Sequence, residues 1–278
     1  VNQVSAVVVD FFAGDDLVSC VDSLRLEGIE QIIVVDNSTE GASATALMGR
    51  DVVLVDTQVN AGYGRGMNRG VAFAGDCEYL ILSNPDVRVH PHAVARLVSY
   101  MDEHHDVGIA GPTIVDSSGA TYPSVRIFPN VLLAGLHALL SPLWSNNPFT
   151  KRYRSPGRNG QVDWVSGAFF ITRTAAFQAV GGFDERYFMF AEDMDLCWRL
   201  QSAGWLVAVV PEATVTHIEG VSRARAPRAM VRAHHASALR FEARTARGIR
   251  RLLLPLAAIL LGLRYLALSI FSARTPRS

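Results

Sequence analysis

Lysine is almost missing from this chain. Lys151 is the single lysine, although Lys and Arg together number 26 of 278 residues, so nearly all positive charge is guanidinium. Acidic residues also number 26, and the formal net charge is zero. Whole-molecule charge therefore gives nucleic acid no reason to bind. Cysteine is scarce too. Cys20, Cys77 and Cys197 are far apart, odd in number and without zinc-site spacing. This argues against a disulfide framework or a zinc site and for free thiols in a reducing compartment. No basic-then-apolar leader opens the chain, since residues 4–12 read as a strand; the expectation is a cytoplasmic catalytic part. Also missing are a Gly-x-Ser-x-Gly elbow, a Walker loop, a Cys/His nucleophile arrangement, internal repeats and low-complexity stretches.

What is present suits one sizeable core, or a core with an appendage: 49% hydrophobic and 19% charged residues. β-Branched apolar runs predict buried strands at residues 4–9, 32–35, 51–56 and 79–82. Helices are expected at 17–26, 66–74 and 89–103. Residues 123–160, rich in Pro, Asn, Trp and Arg, read as a long connection or a substrate-facing insertion. Order resumes at 162–172, followed by helices at 175–180 and 193–203 and a strand at 205–210, with Pro211 opening a loop to His217. Alternating strands and helices predict a doubly wound, mostly parallel α/β sheet. Ligands in such sheets bind beyond the carboxyl ends of the strands, where Asp36 and Asp86 fall.

Several clusters there have both a chemical and a bland reading. Asp36-Asn37-Ser38 suits a nucleobase or ribose, but Asx and Ser also simply make turns. Asn60-Ala61-Gly62-Tyr63-Gly64-Arg65-Gly66-Met67-Asn68 opens a helix, where close backbone approach and the helix N-terminus favour a diphosphate; a tight turn is the alternative. Asn84-Pro85-Asp86 offers a carboxylate to Mg²⁺ or Mn²⁺, or a strand-ending turn. Glu192-Asp193-Met194-Asp195 puts three acids at a helix start, more than capping needs. Asp195 and Arg199 are spaced to pair on one helical face, which leaves Asp193 as the better general base, with Glu192 orienting the acceptor. His217 is a ligand only if the fold brings it to Asp86, and His234-His235 reads equally as solvated helix surface. Trp164, in Asp163-Trp164-Val165-Ser166-Gly167-Ala168, can stack on a sugar or belong to the core.

The order of these pieces, together with Gly181-Gly182-Phe183-Asp184-Glu185 ahead of Glu192-Asp193-Met194-Asp195, resembles the family 2 glycosyltransferases of GT-A fold over residues 4–217. The resemblance implies an inverting transfer of a sugar from a nucleotide-diphosphate donor. It implies donor contacts at Asp10, Asp36, Asn37, Asn60, Gly62, Tyr63, Gly64, Asn68, Asn84 and Asp86, and acceptor contacts at Trp164, Gly167, Ala168 and Glu192. It makes Asp193 the base, and Asp86 with His217 the holders of Mg²⁺ or Mn²⁺. Two departures stand out: Asn84 replaces the first metal-motif acid, and Val9-Asp10-Phe11-Phe12 lacks the commoner Thr or Ser followed by Tyr. Asn60-x-Gly62-Tyr63-Gly64, Asn84-Pro85-Asp86, Gly135-Leu136-His137-Ala138, Trp144, Asn147-Pro148 and Tyr153-Arg154 look further like the actinobacterial rhamnosyltransferases of cell-wall linker synthesis. That implies dTDP-rhamnose as donor and polyprenyl-diphospho-N-acetylglucosamine as acceptor. A UDP-sugar transferase is the alternative. Rivals of other classes are a nucleotide-sugar oxidoreductase using Gly62-x-Gly64-x-Gly66, and a non-catalytic sugar- or lipid-binding relative.

The last segment differs in character. Nine arginines from Arg223 to Arg251 precede an apolar run at 252–271 that contains Pro255 and Arg264. The run is barely long enough to span a bilayer; an interfacial helix and a buried terminal helix are the alternatives. The expected organisation is a catalytic domain at 1–221 and an arginine-rich, membrane-associated helical segment at 222–278, acting at the cytoplasmic face of the plasma membrane. Arg223 and Arg225 are candidates to meet the acceptor's diphosphate.

Overall fold

The strand β1 (Val4–Asp10) shows how the core is divided. Ala6 and Val8 point into one apolar layer, Val7 and Val9 into the other, as the two-residue period of a strand requires. The computed structural model describes residues 3–38, 40–121, 125–126, 128, 144, 146–148, 151, 162–218 and 227–272. The other strands are β2 (Gln31–Asp36), β3 (Val53–Asp56), β4 (Tyr79–Ser83), β5 (Val87–Val89), β6 (Val107–Val115), β7 (Val125–Arg126), β8 (Trp164–Val165), β9 (Phe169–Arg173) and β10 (Leu206–His217). Among the described residues they form an eight-stranded sheet in the order β3-β2-β1-β4-β9-β6-β10-β5 and a small β7-β8 pair. β1, β2, β3 and β4 pair in parallel, as do β6 and β10, while β9 runs against both β4 and β6, and β5 against β10.

Helices cover both faces. α1 (Asp15–Leu26) and α4 (Ala93–Glu103) bury Leu17, Leu24, Leu97 and Met101 on one side. α3 (Tyr63–Val71), α5 (Thr174–Ala179) and α6 (Glu192–Ser202) bury Met67, Phe177, Leu196 and Leu200 on the other. The short α2 (Ala42–Ala46) follows β2. The doubly wound α/β expectation holds in its mixed form, with β5 and β9 reversed.

Several expectations need correction. Residues 89–103 are not one helix. Val87 and Val89 are buried in β5, whose pairing with β10 outweighs local helical preference, and α4 begins only at Ala93. β10 does not end before Pro211; it continues to His217 through a bulge between Val210 and Thr214 that accommodates the proline. α3 begins at Tyr63, so Gly64 and Gly66 lie inside the helix. β6 was not anticipated. Residues 123–160, apart from those named above, lie outside the described residues, as do residues 135–138, Tyr153, Arg154, Arg223, Arg225 and the expected boundary at 221/222.

After the boundary come α7 (Pro227–Thr245), α8 (Ile249–Leu252) and α9 (Leu254–Ser272), with α9 packed back on α7. Among the described residues no helix is long and apolar enough to cross a membrane. The run at 252–271 is divided by the break between α8 and α9 and interrupted by Arg264.

Gly70 lies where α3 crosses β1 and β2, and a Cβ there would overlap Val7 and Val35. Gly70→Ala is expected to cost about 1–3 kcal/mol by overpacking. Denaturant midpoints measure this, and an unchanged midpoint contradicts the packing described.

Candidate functional site

Parallel register brings Asp10, Asp36 and Asp56 level at the carboxyl ends of β1, β2 and β3. Asp10 and Asp36 are each only 1% exposed. Ser43 Oγ donates to Asp10 Oδ2 at 2.7 Å, and the Ala13 N–H to Oδ1 at 2.9 Å. Burial nonetheless raises the Asp10 pKa, and the Asp36 charge adds to the rise. Asp36 accepts the N–H groups of Ser38 at 2.8 Å and Ser43 at 3.1 Å. Asn37 donates from Nδ2 to the Gly62 carbonyl at 3.1 Å, which links the strand-two cluster to the glycine-rich loop.

That loop has a packing reason for its glycines beside any ligand reason. Gly62 has φ 87°, and a side chain there would strike the Phe188 carbonyl. Cβ atoms at Gly64 and Gly66 would press on Phe183 and Val9 respectively. Asn60 Oδ1 accepts the Gly62 N–H at 3.0 Å and closes the turn. Asn68 faces the Gly-Gly-Phe-Asp-Glu segment: its Oδ1 accepts the Phe183 N–H at 2.8 Å, and its Nδ2 donates to the Phe183 carbonyl at 2.9 Å. Tyr63 turns inward and donates to the Gly167 carbonyl at 2.5 Å. Burial lifts its phenol well above the ordinary range, and Glu192, Asp193 and Asp86 each push further the same way.

The fold does bring His217 to Asp86. β5 pairs with the end of β10, the Ile218 N–H donates to the Asp86 carbonyl at 3.0 Å, and His217 Nε2 lies 3.1 Å from Asp86 Oδ1. Asn84 Nδ2 is 3.4 Å from the same imidazole nitrogen. Asp86 Oδ1 is buried and accepts no hydrogen bond among the described residues. A buried carboxylate oxygen without a donor, beside an imidazole nitrogen, fits one side of a divalent cation. Among the described residues no group of three or more His, Cys, Asp or Glu could hold a metal. Asp86 and His217 are therefore the pair that could contribute to holding a cation, and Mg²⁺ ordinarily keeps water and substrate phosphate as its remaining ligands.

The acid helix begins beside Gly167. The Gly167 N–H donates to Asp193 Oδ2 at 2.8 Å, and the Met194 N–H to Oδ1 at 2.8 Å. The space beyond Gly167 is taken by Asp193, with which a Cβ would be in close contact. The next residue, Ala168, gives its carbonyl to the Asn84 N–H at 2.8 Å. One dipeptide thus joins Tyr63, Asn84 and Asp193. Glu192 is 7% exposed, and its Oε2 has no hydrogen-bond partner among the described residues. Burial, and then the Asp193 charge, push its pKa up to about 8. Asp195 is completely buried against Arg199 Nε at 2.7 Å, the structural pair that the spacing predicts.

Trp164 is half-buried in β8 and packs on the core layer containing Val165 and Phe170. His235 is buried in α7, while His234 meets Phe190 edge-on with ring centroids 5.3 Å apart. Sequence reasoning missed Ser43 and Thr57. Ser43 serves both Asp10 and Asp36, and Thr57 Oγ1 lies 2.8 Å from the Asp36 carbonyl and 3.1 Å from Asn37 Oδ1. A lone Ser or Thr carries no signal of such a role in the sequence.

Strand-end acids on a mixed α/β sheet suit a GT-A fold, and comparison with solved structures agrees on the fold. The mannosyltransferase PcManGT of Pyrobaculum calidifontis, solved in complex with GDP-Man and Mn²⁺, aligns over 99% of this chain and 76% of its own, with TM-score 0.59 and 14% identity. Residues 3–236 match the model for glycosyltransferase like family 2, and the chain belongs to that family. The N-acetylglucosaminyl-diphospho-decaprenol L-rhamnosyltransferase of Mycobacterium tuberculosis is 39% identical over 230 residues, 77% of this chain and 75% of that protein. The dTDP-rhamnosyl transferase RfbF of Shigella flexneri is 26% identical over 192 residues, 68% of this chain and 60% of that protein.

Raising the Glu192 pKa from 4.5 to about 8 means that folding favours the protonated acid. Its contribution to stability is complete below the unfolded value and is lost as pH rises through the folded one. Glu192→Gln imitates the protonated form, so its Tm relative to the parent is expected to rise between pH 6 and pH 9. An equal offset at both pH values contradicts the assignment.

Proposed function

We propose that this enzyme transfers L-rhamnose from dTDP-rhamnose to polyprenyl-diphospho-N-acetylglucosamine, with inversion, at the cytoplasmic face of a plasma membrane. The similarity to the Mycobacterium tuberculosis rhamnosyltransferase carries this reading, since it covers three quarters of that protein. The name of the Shigella flexneri relative supports the donor nucleotide. The family makes the oxidoreductase rival untenable, and its glycine motif has a packing explanation in Phe183 and Val9. A UDP-sugar remains the second reading for the donor.

In this reading Asp193 removes the proton from the acceptor hydroxyl. The oxygen attacks the anomeric carbon in line, the bond from that carbon to the diphosphate breaks, and dTDP departs with the bonding electrons. The N–H groups of Gly167 and Met194 keep Asp193 oriented. Glu192, which burial pushes toward its protonated form, leaves the proton transfer to Asp193 and faces the acceptor with Trp164, Gly167 and Ala168. The strand-end group of Asp10, Asp36 and Asn37 shapes the nucleoside side. Asn60, Gly62, Tyr63, Gly64, Asn68 and Asn84 line or brace the diphosphate side. Asp86 and His217 would hold Mg²⁺ or Mn²⁺, and a bound ion would supply positive charge for the leaving diphosphate. The Mn²⁺ in the Pyrobaculum calidifontis complex supports a divalent ion.

We further propose the division into a catalytic part at 1–221 and a helical segment at 222–278 that rests on the bilayer. Ile249, Leu252, Leu256, Ile259, Leu260 and Leu263 are exposed at helical spacing, and Arg247, Arg251 and Arg264 are exposed near them. This is the composition of an interfacial helix on anionic lipid.

Two measurements test these assignments. Purified enzyme with Mg²⁺ or Mn²⁺ and a short-chain polyprenyl-diphospho-N-acetylglucosamine is expected to consume dTDP-rhamnose in preference to UDP-sugars, and to stop on EDTA addition. Consumption of a UDP-sugar alone overturns the donor, and indifference to EDTA overturns the metal. In sedimentation, the protein is expected to follow phosphatidylglycerol vesicles at low salt, and Leu256→Glu with Leu260→Glu to abolish this. A parent that stays in the supernatant contradicts bilayer contact.

A further inference from the structure

The two residues before the acid pair are strained. Phe190 and Ala191 have φ 68° and 63°, consecutive left-handed conformations for residues that are not glycine. Ala191 is also the N-cap of α6 and supplies no side-chain cap. Local preference does not hold Glu192 and Asp193 in place; something else must.

Two elements grip the segment from opposite sides. From the sheet side, the Tyr63 N–H donates to the Phe188 carbonyl at 3.0 Å. From the other side comes α7, which lies beyond the expected catalytic domain. Ser237 Oγ donates to the Met189 carbonyl at 2.8 Å. Phe241 is buried with Tyr187 and Ala191. The Arg244 guanidinium bridges the segment's two ends: Nη1 lies 2.8 Å from Asp184 Oδ2 and 2.8 Å from Asp195 Oδ1. Asp195 carries no exposed surface, so its charge requires such partners. Arg199 takes its second oxygen, and the Tyr187 hydroxyl donates to Oδ1 at 3.3 Å.

We propose that α7 is a positioning element of the active site, in which Ser237, Phe241 and Arg244 hold residues 184–191 in the strained form that aims Glu192 and Asp193 at the acceptor hydroxyl. The inference rests on the reading of Asp193 as base. It assigns the first helix of the C-terminal segment to catalysis, with α8 and α9 left to meet the bilayer. Asp195 and Asp184 thereby gain a role distinct from that of Asp193: they are the points at which α7 takes hold.

The test uses the full chain. Ser237→Ala and Arg244→Gln are expected to lower kcat by about tenfold or more while leaving the donor KM unchanged, because a misaimed base impairs the chemical step and not nucleotide binding. Arg244→Lys keeps one cation between the two carboxylates and is expected to recover part of kcat. If Arg244→Gln does not fold, Ser237→Ala decides, since it removes one hydrogen bond and no charge. Folded variants with kcat within about twofold of the parent overturn the proposal. So does a donor KM that rises in step with the fall in kcat. Asp193→Asn is measured in parallel: full turnover there refutes Asp193 as base, a result separate from the kcat and KM pattern of the α7 variants.

Discussion

The peptide at Gly167 is the point on which the site depends. Its N–H holds Asp193 and its carbonyl receives the Tyr63 hydroxyl, while the neighbouring Ala168 carbonyl receives the Asn84 N–H. Three elements far apart in sequence are thereby fixed at one place: the glycine-rich helix, the end of β4 and the start of the acid helix. Asp193 fills the space where a side chain at Gly167 would extend. The position of the proposed base is thus set by a backbone contact with a strand-end loop, and the reversed β9 that follows carries that loop back into the sheet between β4 and β6.

Buried acids divide into two kinds here. Asp10, Asp36 and Asp195 are fully supplied: Ser43, backbone N–H groups, Arg199 and Arg244 meet their oxygens. Such carboxylates hold turns and helices together. Asp86 Oδ1 and Glu192 Oε2 are buried without a hydrogen-bond donor among the described residues. A group left in that state favours a proton, a cation or a ligand. Burial drives Glu192 toward its neutral form, and Asp86 stands beside His217.

Much of this was legible in the sequence. The β-branched runs marked β1, β2 and β4 correctly because strands buried on both faces need continuous apolar residues. The order of Asp36, the glycine-rich loop, Asn84-Pro85-Asp86, residues 163–168 and, above all, Gly181-Gly182-Phe183-Asp184-Glu185 ahead of Glu192-Asp193-Met194-Asp195 carried the family. What could not be read depends on long-range pairing. Val87–Val89 is a strand only because the end of β10 lies beside it, and that same pairing brings His217 to Asp86. The glycines of residues 62–66 signalled a ligand loop, yet each also answers to a neighbour, Phe188, Phe183 or Val9, that no spacing rule reveals. Asn68 read as part of the same loop, but its amide meets Phe183 more than a hundred positions away. The arginine-rich stretch suggested a surface for lipid; that Arg244 turns inward to Asp184 and Asp195 is visible only in three dimensions.

The central claim is that one reacting centre lies between Asp86 with His217 on one side and Asp193 on the other, with the Gly167 peptide between them. A crystal structure with an intact nucleotide-sugar donor and Mn²⁺ tests this most directly. The account predicts the diphosphate against Asp86 and His217, the base near Asp36 and Asn37, and the anomeric carbon open to attack from the side of Asp193. A donor bound with its diphosphate away from Asp86, or with Asp193 on the leaving-group side of the anomeric carbon, would contradict it.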